Sequence, residues 1–373
     1  MEKSITEKTE IRSARRVRSG GRSANTARRK KELFKQSHWR LPVNHDPPIE
    51  PLLEEGVLTI HNGAMDILED IGIEFLNEEA REIFAQAGCR INDTNVKMDR
   101  EWVMEMIGKA PSQFTITPRN PDHELIVGGK YILFGNVSSP PNYYDLDIGK
   151  KVPGTREQCA NLIRLSQYFN CIHMIGGYPV EPVDLHPSIR HLDVLFDKLT
   201  LSDKVAHAYS LGKERVEDVM EMVKIAGGLS EEEFQSKPHL YTNINSTSPL
   251  KHDQPMIDGC LRMIRRGQAV FVTPFTLAGA MAPVTISGAV TLSIAEALSA
   301  IALFQYVKPG CSCVLGTFTS NVDMKSGAPA FGTPEYMRAT QITGQMARFY
   351  DLPMRASGVC AANVPDGQSI WET

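Results

Sequence analysis

The chain is 373 residues long, 42% hydrophobic and 23% charged, with a formal net charge of −4. That length and balance describe a globular protein with one large core and an appendage, and they exclude a fibrous or wholly disordered chain. The richest apolar stretch, Ala295 to Val307, is short of the ~18–20 residues of a membrane span and carries Glu296 and Gln305, so no membrane association is expected.

The N-terminal segment is a basic arm. From Arg12 to Lys31 it carries nine basic residues and no acid, which leaves the rest of the chain acidic. Such an arm suits a nucleic acid or an anionic surface, or else a solvated extension touching an acidic partner or its own oligomer. The second reading is adopted: a disordered arm over 1–48, no nucleic acid, and a homo-oligomer. Glu2, Glu7 and Glu10 argue against a transit peptide.

After the breaker His45-Asp46-Pro47-Pro48 the pattern turns helical. Leu52, Leu53, Val57, Ile60, Ala64, Ile67, Leu68 and Ile71 recur at three- and four-residue steps until Gly72. Asn77 caps a second helix over 78–87, and a third is expected over 100–109. With extended pieces at 114–117 and 124–127, these define an N-terminal helical subdomain over 49–128.

From residue 129 strands and helices alternate. Strands are expected at 131–137, 171–178, 204–210, 239–244, 269–273, 311–316 and 354–359. Helices fill the gaps at 156–168, 187–200, 213–227, 254–266, 285–307 and 334–350. This spacing is that of parallel βαβ units, and no G-x-G-x-x-G fingerprint follows the first strand. The expected fold is α/β, a (β/α)8 TIM-type barrel over 129–373. With seven strands counted, the barrel is expected to be incomplete, its last βα unit missing at the C-terminus.

Barrel active sites form at the carboxyl ends of the strands. Here those ends supply Asn136, Ser138, Gly176, Gly177, His207, Tyr209, Asn243, Asn245, Thr273, Phe275, Gly316, Phe318, Asn321, Ser357 and Val359. Amides, hydroxyls, glycines and rings dominate, which suits a bulky ligand held by hydrogen bonds and ring faces. Tyr143 and Tyr144 add rings nearby. Candidate catalytic groups are His207, Glu335 at a helix start and Asp366 on a loop, with Asp323 a further loop acid; each acid also reads as a cap or solvated residue.

Metal binding is not expected. His186, His191 and Asp193 lack helical metal-pair spacing, and Cys311 and Cys313 read more simply as small core residues on one strand face. The seven cysteines include no C-x-x-C pair, and reduced thiols point to the cytoplasm.

Four segments resemble one family. They are Arg15 to Arg22 (R-R-V-R-S-G-G-R), Thr273 to Val284 (T-P-F-T-L-A-G-A-M-A-P-V), Thr319 to Glu335 (T-S-N-V-D-M-K-S-G-A-P-A-F-G-T-P-E) and Val364 to Gln368 (V-P-D-G-Q). Together they resemble bacterial members of the trimethylamine methyltransferase family. The resemblance implies a (β/α)8 barrel that transfers a methyl group from a methylated amine to the cobalt of a corrinoid carried by a separate partner protein. Archaeal members carry pyrrolysine at the position matching Val359. The resemblance is therefore to the branch without it, where quaternary amines such as glycine betaine are the precedent. Tyr143, Tyr144, Phe275 and Phe318 would face the cation, with Asn136, Asn243, Asn245, Gly316 and Val359 as further substrate contacts. A non-catalytic ligand-binding or scaffold protein of a corrinoid gene cluster remains the alternative.

Overall fold

The structure is a computed structural model that describes residues 35–358, 362 and 364–372. Of the arm expected over 1–48, residues 1–34, with the whole basic run 12–31, lie outside the described residues. Residues 42–44, on the arm side of the Pro47-Pro48 breaker, run antiparallel to 130–132 through a Val43–Tyr131 bridge.

Helix α1 (Glu54–Asp66) continues as a π-helical turn, Ile67–Ile71, and stops at Gly72. Gly72 has φ 87°, and a side chain there would strike Asn95 and the Val96 carbonyl. Asn77 caps α2 (Glu78–Gln86) by accepting from the Ala80 N–H, and Asp99 caps α3 (Arg100–Ile107). Strand Ile73–Phe75 pairs in parallel with Lys251–His252, so the helical segment is zipped to a loop from the second half of the chain.

The main sheet is all parallel. Its strands, in chain and spatial order, are β1 (Met174–Ile175), β2 (Val205–Ala208), β3 (Tyr241–Ile244), β4 (Ala269–Val272), β5 (Cys313–Gly316) and β6 (Met354–Arg355). The helices between them are α4 (Arg156–Tyr168, preceding β1), α5 (Arg190–Leu201), α6 (Lys213–Gly227), α7 (Glu231–Ser236), α8 (Gln254–Arg265), α9 (Ile286–Val307) and α10 (Pro334–Phe349), with α11 (Gly367–Glu372) last. Neighbours in sequence are neighbours in the sheet, as parallel βαβ units require.

The strand expected at 131–137 is reduced to one parallel bridge, Gly135 to Met174. Side chains take part of the ladder there, beside the His173 and Met174 N–H groups that still donate to the Phe134 carbonyl (2.8 and 3.3 Å). The Phe134 N–H donates to His173 Nδ1 (3.0 Å), and the Gly176 N–H donates to Asn136 Oδ1 (3.0 Å). The strand expected at 354–359 forms only over Met354–Arg355, and Val359 lies outside the described residues.

Alternation sorts the sheet residues onto two faces. Ala206, Ala208, Ile244, Val270, Val272, Cys313 and Leu315 join the large apolar core, with Met354 packed against it. That core also holds Val57, Ile60, Phe75, Phe84 and Val103, so the N-terminal helices and the outer face of the sheet share one interior. Helix α9 runs through it, buried on nearly every side. Its 22 residues extend the apolar run beyond Ala295–Val307, which makes it long and apolar enough to cross a membrane; 78% of its most apolar window is buried inside the protein.

Candidate functional site

The opposite face of the sheet carries His207, Tyr241, Asn243, Phe271, Thr273, Gly316 and Arg355, the alternates of the core set. It is concave. Tyr241, on β3, reaches across β2 to donate to the Ile175 carbonyl on β1 (3.4 Å). Arg355 lowers the proton affinity of His207 although β2 and β6 lie four strand spacings of about 4.8 Å apart, a proximity that a curled sheet provides.

Rings line this face in a chain. Tyr178 meets Tyr209 (4.6 Å between centroids), Tyr209 meets His207 (4.8 Å), His207 meets Tyr241 (5.1 Å), and Tyr241 meets Phe271 (4.8 Å). The Tyr209 hydroxyl accepts from the Tyr178 N–H (2.8 Å) and bonds to Ser138 and Ser139. A side chain at Gly177 would collide with that hydroxyl, so the close approach depends on glycine.

Beyond the rings lies a layer of polar groups. Thr273 Oγ1 donates to Asn243 Oδ1 (2.6 Å), and Asn245 Nδ2 donates to the Thr273 carbonyl (2.8 Å). A side chain at Gly316 would strike Thr273, so the wall stays recessed there. Phe275 and Phe318 stack at 5.0 Å, and Phe318 joins Phe331 and Tyr336 in a second aromatic cluster. The Tyr336 hydroxyl bonds to Ser357 Oγ (2.7 Å).

His207 is buried, and its Nε2 accepts from the Asn243 N–H (3.2 Å), which leaves the proton on Nδ1. Burial first, then the charges of Lys198 and Arg355, hold its proton affinity well below the ordinary value. It is a neutral imidazole at physiological pH. Behind it Lys198 donates to the carbonyls of Gly176 (3.1 Å) and His207 (3.4 Å), and burial pulls its amine down to about 7.

The structure thus brings together His207, Asn243, Asn245 and Gly316, and stacks Phe275 on Phe318. Asn136 lies at the sheet edge, bonded to Gly176. The remaining candidates stand elsewhere. Tyr144 is on a hairpin, Asn142–Asp145 with Lys150–Pro153, and Tyr143 beside it packs on the Cys159 and Tyr178 cluster. Glu335 is exposed in the first turn of α10. Asp366 accepts from the Gln368 and Ser369 N–H groups and so caps α11. Asp323 does the same within its own loop, through Lys325 and Ser326. His191 pairs with Asp218 and Asp193 with Arg156, so the two go to different partners.

Three features were not anticipated. Arg355 stands at the carboxyl end of β6, on the concave side. Tyr241 and Phe271 form the floor. Glu296, fully buried on α9, accepts from Ser246, Ser248 (2.6 Å) and the Leu250 N–H (2.7 Å), pinning the loop after β3. Burial raises its proton affinity, and those hydrogen bonds oppose the shift. A cavity of about 210 Å³ lies instead at the amino ends of β2 and β3, between Thr117, Lys204, Leu229 and His239. It is remote from the strand ends where the rings and amides converge, and the latter have the chemistry of a site.

A curled parallel sheet wrapped by helices, with a polar and aromatic carboxyl-end face, defines an α/β enzyme scaffold. The sequence matches the trimethylamine methyltransferase (MTTB) family over residues 18–373, and the chain belongs to that family. It is 35% identical to the glycine betaine methyltransferase of Desulfitobacterium hafniense, over 88% of this chain and 68% of that protein. It is 27% identical to the trimethylamine methyltransferase MttB of the same species, over 86% of this chain and 64% of that one. The solved monomethylamine methyltransferase MtmB of Methanosarcina barkeri is similar with a TM-score of 0.48 and 13% identity, over 82% of this chain and 67% of that one. The chain spans about two thirds of the length of these relatives.

Proposed function

We propose that the protein is a methyltransferase that moves a methyl group from a quaternary or tertiary methylated amine to the Co(I) of a corrinoid held by a separate protein. The family match over residues 18–373 carries this reading. The curled sheet is read as part of a (β/α)8 barrel, with the 49–128 segment as a helical subdomain.

The concave face supports orientation rather than activation. A quaternary ammonium already has a good leaving group: the C–N bond breaks with its electron pair staying on nitrogen, and the methyl carbon passes to an in-line nucleophile. The protein has only to hold the donor in line. Phe275 and Phe318 would face the methylated cation at ~0.5–2 kcal/mol each, and Asn243 and Asn245, fixed by Thr273, would set its orientation. His207 serves as a neutral polar wall. Asn136 and Val359 remain candidate contacts, and Tyr144, Glu335 and Asp366 candidates for groups at the rim.

The test mixes the full-length protein with a reduced corrinoid protein and a panel of methylamines and betaines. Methylation of the corrinoid, followed by its visible absorption, is expected with at least one donor. No methylation with any donor overturns the reading.

A further inference from the structure

The cavity at the amino ends of β2 and β3 has no part in the concave face. Well-packed interiors leave few voids larger than one water molecule, and this one, at about 210 Å³, has room for roughly seven. Its walls are mainly apolar. Leu199 comes from α5, Ala206 from β2, Val223 and Ala226 from α6, and Leu229 from the link that follows. The segment after strand Gln113–Ile116 closes it with Thr117, Pro118 and Pro121.

That closing segment is fixed in place. The Thr117 N–H donates to the Pro238 carbonyl (2.9 Å), and His239 Nδ1 donates to the Thr117 carbonyl (2.8 Å). Asn120 Nδ2 donates to Asp203 Oδ2 (2.8 Å). The cavity is therefore built into the fold, with both sides tied together around it.

The polar groups of its wall already have protein partners. Asp203, the one carboxylate in the lining, accepts from Asn120, His123 and Gln167. Lys204 donates to the carbonyls of Ser166 (2.6 Å) and Phe169 (2.8 Å), and Ser202 Oγ donates to Gln167 (2.6 Å). Water held there finds few partners, whereas a hydrocarbon body needs none.

The rim is different. Arg119 and Lys237 are exposed lining residues, and among the described residues neither meets a carboxylate. Arg119 has one long bond, to the Ser202 carbonyl (3.4 Å), and the Lys237 amine has none. Two cations at the mouth of an apolar hole, with the one lining acid already bonded, favour a ligand that is apolar at one end and negative at the other. The guanidinium adds a fork that fits a planar carboxylate.

We propose that this cavity is a second binding site, for a small amphiphilic anion. An apolar body of roughly eight carbon atoms lies between α5, α6 and the 117–121 segment, and its carboxylate or other anionic head rests on Arg119 and Lys237. The proposal does not rest on the methyltransferase reading.

The test is calorimetric titration of the protein with octanoate and phenylpropanoate, each beside its uncharged alcohol. It is repeated with the double variant Arg119→Gln, Lys237→Gln and with Ala226→Leu, which fills the cavity from α6. At least one acid should bind at a single site with a Kd below about 1 mM, and at least roughly tenfold more tightly than its alcohol at low salt. The double variant, which changes only exposed side chains, should bring acid and alcohol within about threefold of each other. Ala226→Leu should weaken both by at least roughly tenfold with the circular dichroism spectrum unchanged. Saturable binding of neither acid overturns the proposal, as does an alcohol bound as tightly as its acid. A preference that survives the double variant overturns it too, as does binding unmoved in a folded Ala226→Leu protein. Should Ala226→Leu fail to fold, the double variant decides alone. None of these outcomes bears on methyl transfer, which is read separately with the corrinoid protein.

Discussion

Two arginines show how differently this protein treats a buried charge. Arg266, between α6, α7 and α8, is 14% exposed and bonds to Glu217 (3.3 Å), Glu221 (2.9 Å) and Glu231 (2.7 Å), with its guanidinium 4.9 Å from the centre of the Phe234 ring. Arg355, on the concave face, feels the phenols of Tyr241 and Tyr336 and has no carboxylate partner among the described residues. A charge that serves only the fold is matched by the fold.

The contrast can be tested from both sides. The largest effect is expected from filling the concave wall: Gly316→Val drives a branched side chain into Thr273 and should destabilise by about 3 kcal/mol, measured by urea unfolding. A milder outcome, with full stability, would mean the wall is not packed as described.

Lys198 gives a pH signature. Burial pulls its amine down from 10.5 to about 7, so between those values the unfolded chain holds a proton that the folded one does not. This group therefore makes stability rise with pH across that window, and at or below pH 7 it contributes no such gain. Lys198→Met should flatten the rise in urea midpoints between pH 7 and 9.5.

Arg266→Ala should cost about 1–2 kcal/mol, a figure discounted because its glutamate partners are 38–46% exposed. Glu231 is held down to about 2 chiefly by the Arg266 hydrogen bond. The stabilisation it provides is full above the ordinary glutamate value and is lost as pH falls toward 2. The acid limb of a stability–pH curve should therefore shrink in the variant. The smallest effect belongs to Thr273→Val, which removes one hydrogen bond to Asn243 and should cost about 1 kcal/mol.

What the sequence made legible was local. Helices α4 and α6 fall on the expected bounds because their ends are written in adjacent residues: Thr155 accepts from the Gln158 N–H, and Gly228 takes the left-handed conformation. The 131–137 strand dissolved because His173 and Asn136 side chains, 39 and 40 residues from the backbone groups they bond, took ladder hydrogen bonds; no local pattern encodes that. In the site, His207, Asn243, Asn245 and Gly316 were reachable by reading strand ends. Arg355 was passed over because the last strand was read through to residue 359, which moved its end beyond the arginine. The signal was present, a lone charge in the run Leu352-Pro353-Met354-Arg355-Ala356, one residue out of step with Leu352 and Met354, which face the core.

The most direct measurement is the visible absorption of a reduced corrinoid protein mixed with this protein and each of a panel of methylated amines. The account predicts methylation of the corrinoid cobalt with at least one donor, and its loss or slowing when Asn243 is replaced by Ala. No methylation with any donor, or methylation that is indifferent to the Asn243 variant, would contradict it.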